Sequence, residues 1–240
     1  GFYLQAMGNH LDTVSQWPPP DFAEPSKEDV LVFSDSYGFC KEIMEQAPPG
    51  RLGVTNVQTR HASKYPTKDV KNLVKMHPWD MIIFGLGIDP PDENTVDGLH
   101  KHQFDVVMVL LTILQVIADD ATRCKRLAII TADAFADEKE FHEDNGISGI
   151  CNCTLFGMAN TGRQEIQSPI QYIDTEWALR SENTKYIVAE LFRHSSFGYN
   201  TVRILNKGRF VLRQVPSKPY ELGPDFVCPD DGIIGISGGN

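Results

Sequence analysis

The amino-acid sequence predicts an α/β domain in which a parallel sheet is covered by helices on both faces. Five short apolar runs, rich in β-branched residues, alternate with segments that have helical spacing. This alternation is typical of strand–helix–strand units, and strands that are buried on both faces have nearly continuous apolar runs. A length of 240 residues with 41% hydrophobic residues is enough for one such domain with short appendages.

The predicted elements follow one another in a regular order. The strands are 30–34, 54–58, 81–86, 127–131 and 170–174. The helices are the segment that follows the first strand and ends at 46, then 67–76, 96–119, 147–160 and 181–195. Strands at 201–205 and 209–213 flank Asn206-Lys207-Gly208, which predicts a hairpin. Residues 11–17 are predicted as an edge strand, and the acidic residues 133–146 as a loop.

Composition excludes several classes of partner. The net charge is −10 and no cluster of Lys and Arg is present, so we expect no nucleic-acid partner. The longest apolar run, 106–118, lies between Asp105 and Asp119 and is too short to span a bilayer, so we expect a buried helix and no membrane partner. The N-terminus lacks the basic and apolar regions of a signal peptide.

The five cysteines favour reduced thiols and a cytoplasmic location, because their number is odd and their spacing fits no disulfide framework. Cys151 and Cys153 lack a nearby second pair of ligands, so they make a poor zinc site. His100 and His102 are two residues apart and do not share a helix face. We therefore expect no metal.

The first turn from a strand to a helix is the place where such sheets hold a cofactor. Here that turn reads Ser34-Asp35-Ser36-Tyr37-Gly38-Phe39. It has one glycine where a phosphate cradle needs two or three, and the carboxylate of Asp35 would repel a pyrophosphate. The sequence therefore predicts a nucleotide-type fold that binds no nucleotide of its own.

The C-terminal stretch 226–240 predicts the opening of a second unit. An Asp-Asp-Gly turn leads into a β-branched run at 233–236, which ends at Ser237, Gly238, Gly239 and Asn240. A strand followed by such a glycine loop is how a dinucleotide-binding unit begins. We predict that these four residues contact a cofactor through backbone amides, together with a helix that would follow them.

Five motifs together resemble the ketoreductase region of type I modular polyketide synthases, which is related to animal fatty-acid synthase. They are LDTVSQWP at 11–18, a Leu-rich helix and apolar strand at 110–131, LFGMA at 155–159 followed by Ile173-Asp174, GRFVLR at 208–213, and the run from Asp231-Gly232 to Asn240. The chain is similar to the family's non-catalytic structural subdomain, a truncated Rossmann-like sheet. It departs from the family at Asn160, where the family usually has Arg.

The resemblance implies a division of labour. Residues 1–29 would be a leading strand and linker, 30–215 the structural subdomain, and 216–240 a linker and the start of the catalytic subdomain. In the family the catalytic half uses NADPH to reduce a β-ketoacyl group carried on an acyl carrier protein. The resemblance therefore implies no catalytic residue within this chain, no cofactor bound by it alone, and two partners: the catalytic subdomain and the acyl carrier protein.

Other interpretations of the same residues remain open. Ser36 in Ser34-Asp35-Ser36 resembles the nucleophile of GDSL-like esterases, with Asp97 and His100 as the activating pair, although such a pair normally lies near the C-terminus. Tyr37 and Lys41 have the Tyr-x-x-x-Lys spacing of short-chain reductases, but they follow the first strand rather than later ones. A free-standing α/β binding module is the third hypothesis.

Overall fold

A computed structural model describes residues 2–6, 27–135, 151–177, 180–192, 200–205 and 208–214, and the structural statements below concern these residues. The strands are β1 (Phe2–Ala6), β2 (Glu28–Ser34), β3 (Leu52–Thr59), β4 (Met81–Gly87), β5 (Leu127–Ala132), β6 (Ile170–Thr175), β7 (Thr201–Leu205) and β8 (Gly208–Gln214). The helices are α1 (Phe39–Glu45), α2 (Thr67–Lys75), α3 (Val96–Asp119), α4 (Cys153–Glu165) and α5 (Arg180–Leu191).

These strands form one sheet in the order β1-β8-β7-β6-β5-β4-β2-β3. The six neighbouring strands β3, β2, β4, β5, β6 and β7 are parallel to one another. Strand β8 is antiparallel to β7, and β1 is antiparallel to β8. The chain leaves β2 towards β3 on one side and then returns to β4 on the other side. In open α/β sheets such a reversal opens a crevice at the carboxyl ends of the two central strands. The mostly parallel, Rossmann-like sheet and the hairpin are therefore confirmed.

Two hydrophobic layers cover the sheet because the central strands are apolar on both faces. Every residue of β4 is buried, and so are the last five residues of β2. Side chains of α2, α3 and α4 pack on one face, and side chains of α1 and α5 pack on the other. The parallel arrangement places helices on both faces, as the alternating sequence predicts.

The long helix α3 is a core element of this domain. It coincides with the predicted helix, and Thr95 caps its start by accepting a hydrogen bond from the backbone N–H of Gly98 at 3.0 Å. Among the described residues it is the one helix long and apolar enough to cross a membrane by length and composition. Its apolar residues, including Leu110 and Ile113, are fully buried against the sheet. Burial in the core accounts for this apolar composition.

At the amino edge of the sheet, acidic side chains meet basic ones. Glu28 at the start of β2 pairs with Arg51 at 3.3 Å and with Arg126 at 2.6 Å. The two arginines also donate to backbone carbonyls at the end of α5, those of Phe192 and Leu191. Cations are favourable at a helix C-terminus. This edge therefore ties three strands to α5.

The structure differs from the sequence prediction at two places. Helix α4 begins at Cys153 and runs to Glu165, later than predicted, because the Asn152 side chain donates to the backbone carbonyl of Asp89 at 3.3 Å and lies outside the helix. Strand β1 was not predicted, since its partner β8 is distant in sequence. The predicted strands at 11–17 and 233–236, and most of the loop at 133–146, lie outside the described residues.

Candidate functional site at the carboxyl edge of the sheet

The side chain of Asp35 holds the turn after β2 in place. Asp35, which is fully buried, accepts hydrogen bonds from the backbone N–H groups of Phe39 at 2.9 Å and Cys40 at 2.8 Å. The chain reaches α1 through Gly38, whose φ of 81° lies in the left-handed region that favours glycine. Backbone amides at this position would bind the phosphates in a dinucleotide site. Here a carboxylate already accepts their hydrogen bonds.

A second carboxylate holds the same turn from the neighbouring strand. Asp89, two residues after β4, accepts hydrogen bonds from Ser36 through the backbone N–H at 2.9 Å and through the hydroxyl at 2.9 Å. Burial raises the pKa of Asp89 to about 6, although the hydrogen bonds from Ser36 act in the opposite direction. Asp35 and Asp89 thus bring two acidic groups to the crevice where β2 and β4 end.

The residues of the esterase hypothesis do not form a nucleophilic site in the described part of the chain. The hydroxyl of Ser36 donates to Asp89 rather than to a histidine. His100 is exposed on α3, and no described hydrogen bond joins it to Ser36. A serine nucleophile needs a base within hydrogen-bond reach, and Ser36 has no such base among the contacts described.

Tyr37 and Lys41 do not form a reductase site either. The Tyr37 side chain is 58% exposed and packs edge-on against Trp177, with ring centroids 4.9 Å apart. Lys41 pairs with Glu45 on the exposed face of α1 at 3.8 Å. These contacts are those of a helix surface and its flanking turn.

Two histidines and an asparagine complete the carboxyl edge near Asp89. His61 lies in the turn after β3, His102 lies on α3, and Asn152 precedes α4. The rings of His61 and His102 have centroids 6.3 Å apart. Burial lowers the pKa of His102, while a side-chain hydrogen bond with Asn152 acts to raise it. His102 is therefore neutral near neutral pH.

A third carboxylate, Asp174, is buried near the carboxyl end of β6. It accepts hydrogen bonds from Arg203 on β7 at 2.9 Å, from the Thr131 hydroxyl on β5 at 2.7 Å, and from the backbone N–H of Ala134 at 2.9 Å. Burial raises its pKa to about 6 even though the charge of Arg203 and these hydrogen bonds lower it. Asp174 belongs to the Ile173-Asp174 pair of the resemblance, and its contacts join three strands.

The motif at 155–159 serves packing. Leu155 and Ala159 are fully buried against α3 and the sheet, and the Phe156 ring packs edge-on against Tyr172 at 5.5 Å. Asn160, where the family usually has Arg, accepts a hydrogen bond from Arg163 at 2.7 Å. Asn160 therefore orients the one arginine of this helix.

The other predicted site residues fall into two groups. Ser237, Gly238, Gly239 and Asn240 lie outside the described residues, so their contact with a cofactor stays a prediction. Cys151 is buried and Cys153 is exposed at the start of α4. Among the residues described, no group of three or more His, Cys, Asp or Glu is arranged to hold a metal ion.

Sequence reasoning missed Asp89, His61, His102 and Asn152 as neighbours. Asp89 had a usable signal, because it follows the apolar run of β4 and therefore had to lie at the carboxyl edge beside the turn after β2. The other three come from separate elements, and their approach depends on how α3 and α4 pack. No spacing in the sequence indicates it.

Comparison with known structures shows the fold. The chain is similar to an adenylation, ketoreductase and pseudo-Asub multidomain structure from a keto acid-selecting NRPS module, with 15% identity, a TM-score of 0.64, and coverage of 88% of this chain and 18% of that one. It is also similar to a C2-type ketoreductase from a modular polyketide synthase, with 13% identity, a TM-score of 0.51, and coverage of 83% and 43%.

A third similar structure is dTDP-4-dehydrorhamnose reductase from Bacillus anthracis str. Ames in complex with NADP, with 14% identity, a TM-score of 0.50, and coverage of 78% and 77%. No protein-family model matches the chain, and no curated protein matches its sequence. The fold is therefore the Rossmann-like fold of reductases. The chain spans less than a fifth of the first of these structures and less than half of the second.

Proposed function

We propose that this chain is the structural, non-catalytic half of a polyketide-synthase ketoreductase. The observation that carries this proposal is the turn after β2, where Asp35 accepts hydrogen bonds from the backbone amides of Phe39 and Cys40. In a cofactor-binding member of the fold these amides face the pyrophosphate. In this sheet the Asp35 carboxylate occupies the place of the pyrophosphate at the first turn. Such a sheet is suited to a structural role rather than to redox chemistry.

The acidic surroundings of the crevice strengthen this argument. Asp89 lies close enough to the buried Asp35 for the two charges to interact, and Asp89 also accepts both hydrogen bonds from Ser36. A pyrophosphate placed at this crevice would face two carboxylates and would have to displace both from their N–H partners. Like charges in a site of low dielectric repel strongly. This chain alone therefore binds no dinucleotide at the turn after β2.

In the proposed assembly the catalytic half follows this chain and supplies the chemistry. That half would bind NADPH and reduce a β-ketoacyl group carried on an acyl carrier protein, and it would begin with the glycine loop at Ser237, Gly238, Gly239 and Asn240. The structural half would pack against it and hold its sheet in place. What supports the proposal is the similarity in fold to two ketoreductase structures. The expected location is the cytoplasm.

A titration of NADPH fluorescence tests the proposal with two proteins. One is this chain, and the other is the same chain extended at its C-terminus by about 200 residues, roughly one further domain. We expect binding and ketoreduction only with the extended chain. Tight binding of NADPH by the shorter chain would refute the proposal.

The same two proteins distinguish the alternatives. Hydrolysis of an acyl ester by the shorter chain, abolished by Ser36→Ala, would support an esterase. If the extended chain binds no NADPH, the chain is better explained as a free-standing α/β binding module.

A further inference from the structure

Strand β3 leaves one side of the sheet open. It is the last strand in the sheet order, and in the described part of the chain β2 is its one partner. The dinucleotide-binding order 3-2-1-4-5-6 has three strands on each side of the reversal, whereas here the side that ends in β3 has two. The sheet therefore stops where that order has one further parallel strand.

The outer side of β3 presents a row of backbone polar groups. The N–H of Val54 is directed towards β2, where it donates to the side chain of Asp29 at 2.6 Å. Successive residues of a strand direct their N–H and C=O groups to opposite sides, so those of Thr55, Val57 and Thr59 point away from the sheet. Among the described residues, no backbone hydrogen bond occupies them. Such a row is a template with which another extended chain can pair.

Strand β3 lacks the features that usually protect an open edge. Protected edge strands are commonly very short, or they contain charged residues or proline. Strand β3 has eight residues, and its sequence, LGVTNVQT, contains no charged residue and no proline. Its register with β2 is regular from Thr55 to Thr59, and the irregularity in this pair lies before Thr55. The edge is therefore suited to pairing with an added strand.

Helix α2 lies along this edge. The side-chain amide of Asn56 on β3 donates to Sδ of Met76, just after α2, at 3.6 Å, and Arg60 after β3 reaches Asp69 on α2 at 3.9 Å. Both ends of the helix thus lie beside the strand. Val54 and Met76 are 54% and 61% exposed. Apolar side chains therefore border the open backbone groups.

Charge decides which chain fits this edge. The protein has a net charge of −10, but residues 60–76 contain five Lys and Arg and a single acidic residue, Asp69. These charges are separated in the sequence and form no basic run. Helix α2 carries Lys68, Lys71 and Lys75, which are exposed and have no ion pair among the contacts described. The helix beside the open edge is therefore basic, and it favours an acidic partner.

We propose that the outer edge of β3 binds a partner polypeptide by strand addition, and that the segment it takes is extended and acidic. Main-chain hydrogen bonds to Thr55, Val57 and Thr59 would extend the sheet by one strand. Apolar side chains of the partner would contact Val54 and Met76, and its carboxylates would face the lysines of α2. Nucleic acid would also be attracted by these lysines, but it has no peptide N–H and C=O groups to pair with a strand.

This surface is separate from the crevice after β2, and it does not depend on the proposed function. The test uses this chain and a short capped peptide rich in Glu and Val, with amide hydrogen exchange followed by ¹⁵N NMR. We expect the peptide to slow exchange at Thr55, Val57 and Thr59 by roughly tenfold or more, because exchange then requires the added strand to open. The N–H of Val54, which is already bonded to Asp29, is the internal control and should change less.

Two control peptides separate the parts of the proposal. A peptide in which Lys replaces Glu keeps the backbone donors but carries the opposite charge, so it should bind at least about fivefold more weakly. A peptide of the first sequence with N-methylated backbone amides keeps the charge but cannot pair as a strand, so it should bind weakly too.

Matched variants locate the site. Thr55→Pro removes an outward N–H and leaves the pairing with β2 intact, because proline is tolerated on an edge strand where its nitrogen faces solvent. It should weaken binding about tenfold or more, whereas Thr55→Ala, which keeps the N–H, should bind like the unsubstituted chain. Lys75→Gln should weaken binding about twofold, and Lys185→Gln, at an exposed position on α5, should leave it unchanged.

Five results would overturn the proposal: no binding of the acidic peptide; equal binding of either control peptide; tighter binding of a DNA duplex than of the peptide; unchanged affinity in Thr55→Pro; or a chain that sediments as a dimer and becomes a monomer with Thr55→Pro. The last result would assign the edge to a second copy of this chain. If Thr55→Pro does not fold, the contrast between the acidic peptide and its N-methylated form in the unsubstituted chain still decides.

Discussion

The carboxylates at the two edges of the sheet have different partners. At the amino edge Glu28 lies between Arg51 and Arg126. At the carboxyl edge Asp35 and Asp89 accept hydrogen bonds from N–H and O–H groups of the turn after β2. The amino edge thus gains stability from neutralised charge, whereas the crevice at the carboxyl edge keeps negative charge. In this fold the carboxyl edge is where ligands bind, and its composition here opposes an anionic cofactor.

The largest effect should come from Asp174, where the carboxyl edge does use an ion pair. Asp174→Ala removes the carboxylate that accepts from Arg203, Thr131 and the backbone of Ala134. Removing one partner of a buried pair costs about 3–5 kcal/mol, because the buried Arg203 loses the carboxylate with which it pairs. Urea unfolding followed by circular dichroism measures the loss.

The matched control is Asp69→Ala. Asp69 pairs with Arg60 at 3.9 Å, and both side chains are about half exposed, so the loss should be below about 1 kcal/mol. Equal losses for Asp174 and Asp69 would show that burial does not set the strength of these pairs.

The next effect concerns Asp35, the residue that closes the turn after β2. Asp35→Ala leaves two backbone N–H groups at the start of α1 without their acceptor. We expect a loss of about 2 kcal/mol in the free energy of unfolding, measured by urea titration.

The same variant should still fail to bind NADPH, because the turn keeps a single glycine and Asp89 remains. If Asp35→Ala binds NADPH, then Asp35 alone accounts for the absence of binding, and the glycine count does not matter.

A smaller effect is expected at the amino edge. Glu28→Gln removes the charge shared by Arg51 and Arg126, whose side chains are only partly buried. The expected loss is about 1 kcal/mol at low ionic strength and less at high salt, because salt screens partly exposed charges. Thermal unfolding at two salt concentrations measures it.

The exposed pair of Lys41 and Glu45 gives the reference, and Glu45→Gln should cost close to nothing. A loss with Glu28→Gln that does not change with salt would contradict an electrostatic role for the amino edge.

The smallest effect is a change in the pH dependence of stability at the carboxyl edge. Burial raises the pKa of Asp89 from 3.8 to about 6, so between pH 4 and pH 6 the folded state binds a proton that the unfolded state does not. This group therefore adds stability as the pH falls through 6 and removes it as the pH rises. Asp89→Asn abolishes that contribution.

We expect the difference in free energy of unfolding, unsubstituted chain minus Asp89→Asn, to rise by roughly 1 kcal/mol from pH 7 to pH 5. His102 acts in the opposite direction, since its lowered pKa destabilises the folded state in acid. Both proteins contain His102 and Asp174, so the contributions of these groups cancel. A difference that is flat from pH 4 to pH 7 would show that Asp89 is not desolvated.

Most of the fold could be predicted because it depends on local patterns. The apolar run at 81–86 had to be a buried strand, and the long apolar run between Asp105 and Asp119 predicted the buried part of α3. The pairing of β1 with β8 could not be predicted, because no local pattern connects residues so far apart in sequence. The start of α4 could not be predicted either, since it depends on the hydrogen bond from Asn152 to Asp89.

The candidate site was predicted only in part. The acidic character of the turn after β2 is visible in the sequence. The structure adds that Asp35 accepts hydrogen bonds from the backbone amides that follow this turn. The cluster of His61, His102 and Asn152 depends on the packing of three separate elements. Such convergence is a tertiary property that a residue pattern does not contain.

The pairing of β1 with β8 affects how the domain folds while it is being synthesised. On the ribosome, β1 emerges before the other strands described here, whereas its partner β8 is synthesised after them. Long-range pairing of this kind forms late, because the closure of a long loop costs entropy before the contact is gained. Until then the outer side of β8 presents open N–H and C=O groups, so the nascent domain is most exposed to strand exchange with a neighbouring molecule just before it is complete.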